Sequence, residues 1–409
     1  MLEPLRGWTK AEKHAIAASY LGWTLDAFDF FLLVFVITEI AREFAVDVKS
    51  VTIALFVTLA ARPVGAFLFG RLADRFGRRP ILMLDVILYA VFAFASAFSP
   101  NLTVLLVLRA LFGIAMGGEW GVGASLTMET VRPESRGVVS GILQTGYASG
   151  YLIASICYGL LFSLIGWRGL FMLGLLPALL VLYIRRNVAE SPGWHAEKRS
   201  GGRITAVLSG HWQLAIYAVF LMAALNFLSH GTQDLYPTFL KVDHGFNPHL
   251  VSAIVAIANI GAILGGITFG ALSQRFGRRR TLVVVALLCL PALPLWIASE
   301  NVAALALGAF AMQFVVQGCW GLIPAHLNEL SPAEARGTFP GTVYQLGNLV
   351  ASYAGPLQAA LAVQYGTYGL ALALVAGVAA LSVAFLASIG REAKEIDMRF
   401  AVPAQFSAE

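Results

Sequence analysis

Asn226, Ser229, His230, Gln233 and Asp234 are polar groups set in an apolar stretch long enough to cross a bilayer. At 100° per residue they fall within an arc of about 140°, one side of a helix. His230 and Asp234 stand one helical turn apart, within hydrogen-bonding reach. A protonated imidazole there would help hold a carboxylate, while Asp234 sets its tautomer or accepts a proton. A lone buried histidine often does no more than donate to a helix carbonyl, but the polar arc around this one argues for function. Other ionic groups also sit at membrane depth, where each is a functional-site hypothesis by default. Asp26 and Asp29, in WTLDAFDFF, lie about 60° apart around a helix axis. Arg62, in LAARPVGAFLFG, falls about eleven residues into a helix of some twenty, near mid-depth. Its guanidinium stays charged and offers a planar fork to a carboxylate. The partner is either the substrate or a resident aspartate, and the substrate is the expected one. Arg109 and Glu119 share another helix, with Arg109 nearer the external end and expected to be structural or part of the entry route. Gln144, Tyr147, Gln313, Gln317, Gln345 and Asn348 supply neutral donors. The chemistry these residues suit is anion binding coupled to proton movement.

The elements that must position them are membrane helices. The chain has 409 residues, 58% hydrophobic and 12% charged, with mean hydropathy +0.75. That is far from a soluble domain. Apolar segments predict helices near 15–40, 50–70, 80–98, 102–128, 137–164, 167–186, 213–240, 249–272, 280–298, 301–328, 337–363 and 367–389. The expected fold is an all-α membrane protein of twelve transmembrane helices in two pseudo-symmetric six-helix bundles. Little chain is left for a soluble catalytic domain, and no nucleophile–base constellation or metal-ligand spacing is present, so no enzyme is expected. The net charge of +5 is a topology signal. Of 28 Lys and Arg residues, Arg42, Lys49, Arg168 and Lys241 fall on one set of loops and Arg62 and Arg109 inside helices. All the others fall on the opposite set, which places both termini in the cytoplasm. Cys157, Cys289 and Cys319 read as buried thiols without metal spacing. The first apolar run is long and interrupted by acids, so it should remain as a spanning helix.

The chain repeats itself at an offset of 200 residues. Gly65, Gly70, Arg75, Phe76, Gly77, Arg78 and Arg79 recur as Gly265, Gly270, Arg275, Phe276, Gly277, Arg278 and Arg279. Gly118, Trp120, Gly121, Glu129, Arg136, Gly137 and Gly141 recur as Gly318, Trp320, Gly321, Glu329, Arg336, Gly337 and Gly341. This gives an N-terminal bundle over 1–190, a linker over 191–211, a C-terminal bundle over 212–390 and a tail over 391–409. Duplicated halves rocking about a central site are the plan of secondary transporters.

The loop GRLADRFGRRP (70–80), with its copy GALSQRFGRRR (270–280), resembles the signature loop of the major facilitator superfamily. The resemblance implies gating roles for Gly70, Asp74, Arg75, Gly77, Arg78, Arg275 and Arg278. Plain positive-inside anchoring explains the arginines alone about as well. Gln274 stands where the pattern has an acid, so any charge latch should be better developed in the first half. LRALFGIAMGGEWGVG (108–123) resembles the fourth helix of sialate and organic-acid proton symporters, and DAFD their first-helix acidic pair, with Ala27 in place of the usual glycine. NFLSHGTQDLYPT (226–238) resembles the seventh-helix signature of Jen-type lactate/pyruvate proton symporters: Asn226, Ser229, His230, Thr232, Gln233, Asp234 and Thr238 meet every fixed position.

The expected function is therefore proton-coupled symport of a short monocarboxylate. Arg62, Asn226, His230, Gln233, Gln345 and Tyr147 would bind it, and Asp26, Asp29, Glu119 and Asp234 would carry the proton. The energy source would be the proton gradient, with no cofactor and no metal; the protein would act as a monomer in the cell membrane, without nucleic acid. A larger organic acid (sialate, aromatic acid or dicarboxylate), a drug/proton antiporter and a non-transporting sensor are the competing readings. The fifth helix, GILQTGYASGY, lacks the Gly-Pro motif of antiporters, and no sizeable output domain is left for a sensor.

Overall fold

Six of the long helices begin where a polar side chain satisfies their free amides. Thr9 and Glu12 form a capping box ahead of α1 (Lys10–Phe35). Asp47, through its bond to the Ser50 amide, caps α3 (Val48–Phe76), which follows the short α2 (Ile37–Glu43). Gly77, at φ 110°, turns the chain into α4 (Arg78–Ser96), and Asn101 opens α5 (Leu102–Thr130). Next come α6 (Arg136–Met172), α7 (Ala178–Asn187) and the short α8 (Pro192–Glu197). The computed structural model describes residues 7–197, 210–394, 396 and 398. Residues 198–209 of the expected linker and all but a few of the tail lie outside the described residues.

The second half repeats the order. It holds α9 (Trp212–Gln233), α10 (Tyr236–Val242), α11 (Pro248–Phe276), α12 (Arg278–Ile297) and α13 (Val302–Leu330). It closes with α14 (Phe339–Ala351), α15 (Ala354–Tyr365) and α16 (Tyr368–Ile389). Among the described residues ten stretches are long and apolar enough to cross a membrane. The 55-residue one, Pro133–Asn187, turns at Gly166 (φ 63°) and holds two passes. The pair α14–α15 adds another, which makes twelve.

Four expected helices are broken: the first at Val36, the sixth over 173–177, and the seventh and eleventh each beside a proline. The seventh pass stops at Gln233 and restarts at Tyr236, because Pro237 has no N–H for the Gln233 carbonyl. The eleventh breaks between Ala351 and Ala354, four residues around Pro356 and the Ser352 carbonyl it cannot serve. The break in the seventh pass leaves Asp234 at a helix end instead of inside a continuous turn.

Within each half the helices meet backbone to backbone through glycine. A Cβ on Gly65 would come within 1.7 Å of the Ile114 carbonyl oxygen, and one on Gly265 within 1.8 Å of that of Phe314. These partners are again 200 residues apart, so the duplication read in the sequence is a duplication of contacts. The same holds for the pairs Arg78–Glu129 and Arg278–Glu329, both 2.9 Å and fully buried. Apolar side chains such as Phe56 and Val363 (87% exposed) face outward, as helices in lipid require.

The halves touch at the end that carries the arginine-rich loops. Gly70 packs on the Gly337 carbonyl, Gly270 on that of Gly137, Gly141 on that of Gly266, and Gly121 on the Cα of Gly341. That face is sealed. A cavity occupies the part of the bundle pointing away from it.

Candidate functional site

The cavity measures about 690 Å³ and is walled by both halves. The first half contributes Trp23, Phe31, Arg62, Gln144 and Tyr147; the second contributes Asn226, His230, Gln233, Asp234, Gln313 and Asn348. Arg62 projects from mid-α3 and is 2% exposed, yet among the described residues its Nε and Nη2 have no hydrogen-bond partner. Gly117 makes this position possible. A Cβ there would lie 2.1 Å from the Arg62 carbonyl oxygen, so only glycine lets α5 press against α3 at that level. The Trp23 ring centroid lies 5.9 Å from the guanidinium carbon, an apolar and π-rich floor for the cation.

Across the cavity, His230 Nδ1 is 3.1 Å from Asp234 Oδ2 and its Nε2 is 2.9 Å from Asn348 Oδ1. Both side chains of the ion pair open onto the cavity, 33% and 48% exposed. An imidazolium suits this arrangement, donating from both ring nitrogens to the two oxygens. Turning the Asn348 amide presents its NH₂ and suits the neutral ring instead. The Asn348 amide therefore follows the charge of His230. A second chain of donors runs from Gln233 Nε2 to Gln313 Oε1 (2.8 Å) and from Gln313 Nε2 to Thr232 Oγ1 (3.1 Å). Asn226 spends its amide on the Met222 carbonyl, 2.8 Å away, while still lining the cavity. Tyr147 is stacked on Trp23 with centroids 5.4 Å apart.

Gln345 is not brought to the cavity. It is 1% exposed, makes no hydrogen bond and is absent from the wall, and its neighbour Tyr344 takes that place because one residue rotates a helix by 100°. Asp26, Asp29 and Glu119 are also absent from the wall. All three are buried behind it, with no hydrogen-bond partner on any carboxylate oxygen. The cations that act on them are Arg62 for Asp26 and Glu119, and Arg109 for Asp29. Arg109 itself is fully buried, donates to Ser96 Oγ at 2.7 Å and lies 4.5 and 5.0 Å from the Phe112 and Phe171 rings. It is walled off from the cavity.

The expected gating residues divide in two. Asp74 accepts from the Gly337 amide (2.7 Å), the Thr338 amide (3.1 Å) and the Thr338 hydroxyl (2.5 Å), and pairs with Arg78 at 3.0 Å. Gln274, its counterpart, accepts from the Gly137 amide at 3.2 Å and from Arg278 at 2.8 Å. Gly70 and Gly77 provide the close approach and the φ 110° turn. Arg75 and Arg275 stay outside this interlock, each over the ring of the phenylalanine that follows it, at 5.1 and 5.8 Å. Sequence reasoning passed over Asp85, Trp23, Asn259 and Tyr344. Asp85 had a visible signal, an acid in the apolar run RPILMLDVIL; the aromatic residues had none.

Two duplicated bundles sealed at one face, with a charged cavity between them, have the architecture of a membrane carrier. Residues 19–232 match the model of the Major Facilitator Superfamily, and residues 204–388 match that of the sugar (and other) transporters. The chain belongs to the Major Facilitator Superfamily. It is 28% identical over 387 residues to a sialic acid transporter of Escherichia coli, covering 93% of this chain and 94% of that one. It is 30% identical over 376 residues to a carboxylic acid transporter protein homolog of Saccharomyces cerevisiae, covering 85% of this chain and 61% of that one. Its fold matches a proton:xylose symporter structure with TM-score 0.76 at 17% identity, over 95% of this chain and 98% of that one.

Proposed function

We propose that the protein carries one short monocarboxylate, of the lactate or pyruvate type, together with one proton. The observation that carries this reading is Arg62: a buried guanidinium with two unpartnered nitrogens on the wall of a cavity whose far side bears His230 and Asp234. An unpaired cation at membrane depth is expensive, and a carboxylate that enters relieves it. Arg62 is also the cation that acts on Asp26 and Glu119. When substrate takes over Arg62, these acids lose their counter-charge, and a proton restores the balance. Anion binding and proton uptake are thereby one event.

The membrane potential favours the same pairing. Moving one negative charge into a negative interior costs about 2.3 kcal/mol per 100 mV, and one co-transported proton cancels it. In this reading the arginine-rich face is cytoplasmic and the cavity faces outward. The names of the relatives, sialic acid and carboxylic acid carriers, support an organic acid as cargo. A larger organic acid is the second reading, favoured by a cavity of 690 Å³ with Trp23, Tyr147, Trp320 and Tyr344 in its wall.

Uptake of labelled lactate into proteoliposomes, with voltage and pH gradient clamped separately, tests the proposal. Rates should follow the pH gradient and ignore voltage. Uptake that follows voltage alone rejects proton symport, and a pH-driven flux of an aromatic acid without lactate flux selects the second reading. Asp234→Asn should abolish accumulation while leaving exchange partly alive.

A further inference from the structure

We infer that the cargo is a 2-hydroxy acid and not a 2-oxo acid, because the second half of the cavity wall presents hydrogen-bond acceptors that no protein donor fills. This deepens the reading above and rests on its placement of a carboxylate at Arg62.

The second half fixes the sense of its own amides. A backbone carbonyl only accepts, so a side-chain amide lying against one must turn its NH₂ toward it. Asn226 Nδ2 donates to the Met222 carbonyl at 2.8 Å, and Asn259 Nδ2 donates to the Val255 carbonyl at 3.0 Å. Each asparagine is thereby tied to the preceding turn of its own helix, α9 or α11. Both line the cavity, and neither Oδ1 is shut off from it.

The same logic passes along a chain. Gln313 Nε2 lies against the Thr232 carbonyl at 3.4 Å, which turns Gln313 Oε1 to Gln233 Nε2 and leaves Gln233 Oε1 over. Asp234 gives Oδ2 to His230 and keeps Oδ1. Among the described residues nothing donates to Asn226 Oδ1, Asn259 Oδ1, Gln233 Oε1 or Asp234 Oδ1. Asn348 is the exception on this wall: with its Oδ1 on His230 Nε2, its NH₂ is a donor. Packing does not call for a polar residue at position 259. At the 200-residue offset the first half has Leu59 there, also on the cavity wall.

The first half answers with donors. Arg62 keeps Nε and Nη2 unpartnered. Gln144 takes the Trp120 indole N–H on its Oε1 at 3.4 Å, and an indole only donates, so its NH₂ is left over. A carboxylate therefore belongs against the first half, and an O–H against the second. A 2-oxo group there sets lone pairs against lone pairs. A site built to bond a substrate hydroxyl rejects the analogue without it, since its own polar groups then go unpaired when water is excluded. Of the two short acids named above, this selects lactate over pyruvate.

Isothermal titration of the purified full chain with two pairs of acids tests the inference: lactate against pyruvate, and mandelate against phenylglyoxylate. Each pair sets a 2-hydroxyl against a 2-oxo group. The hydroxy acid should bind about tenfold tighter or more. Asn259→Leu should bring that ratio near one by weakening the hydroxy acid alone, whereas loss of a merely structural asparagine would weaken both members alike. Equal wild-type affinities within each pair that binds overturn the inference, and this ratio decides even if a variant fails to fold. A ratio unmoved in both Asn259→Leu and Asn226→Leu also overturns it. Binding of the mandelate pair alone, with mandelate preferred, ends the short-acid reading and upholds the hydroxyl subsite. If none of the four acids binds, the carboxylate at Arg62 falls and the inference falls with it.

Discussion

The Asp74 carboxylate accepts a hydrogen bond from the Gly337 amide at 2.7 Å, across 263 residues of chain and from one half of the duplication to the other. The same carboxylate takes the Thr338 amide and hydroxyl. The counterpart Gln274 takes a single bond from the Gly137 amide in the facing half. The face is therefore held by an asymmetric pair of catches, one ionic and one neutral.

Asp74→Asn should loosen this face. Hydrogen bonds to a charged group contribute about 1.5–3 kcal/mol, so the population sealed at the arginine-rich end should fall roughly tenfold or more. Distances between spin labels on exposed positions of the two halves, flanking this face and away from Gly70 and Gly337, would report it. Gln274→Glu should act the other way. Unchanged distances in both variants would show that the glycine packing alone holds the face.

Arg62→Lys keeps the charge and loses the fork. The affinity for a carboxylate should drop roughly tenfold to a hundredfold, in line with a loss of about 1.5–3 kcal/mol. Isothermal titration of purified protein with lactate measures it, and wild-type affinity would return Arg62 to a structural role.

Gly117→Ala places a methyl 2.1 Å from the Arg62 carbonyl oxygen, a backbone atom that cannot turn aside. Overpacking of this kind costs about 1–3 kcal/mol, so the melting temperature in detergent should fall and substrate affinity with it. Gly159→Ala, which meets nothing within 4 Å, is the matching control and should leave both unchanged.

Glu43, outside the spanning helices, supplies a pH dependence of known sign. Burial raises its pKa, but the Arg168 guanidinium at 2.7 Å and the Trp167 indole N–H at 2.5 Å more than offset that and hold it below the ordinary value of 4.5. A carboxylate depressed in the folded state contributes stability above its unfolded pKa and loses it as pH falls through the folded one. Melting temperature should thus decline on acidification below about pH 4.5, less steeply in Glu43→Gln. The exposed setting of the pair keeps the effect small and salt-sensitive. Equal slopes in both proteins would remove Glu43 from the acid transition.

The amino-acid sequence by itself determined the twelve passes, the duplication and the paired arginine-rich loops. Lipid allows only long apolar helices, and a constant 200-residue offset needs no coordinates to be seen. It also pointed to Arg62, His230 and Asp234, because charge at membrane depth is conspicuous against leucine. Only the tertiary structure decided which charges share a space. Asp26, Asp29 and Glu119 look equivalent to Arg62 in a linear reading, yet helix rotation and the glycine contacts of Gly22, Gly117 and Gly118 turn the acids behind the wall and the guanidinium into it. Gln345 and Tyr344 exchange places for the same reason: one step along a helix is 100°, and periodicity fixes a face only relative to neighbours that the sequence does not name.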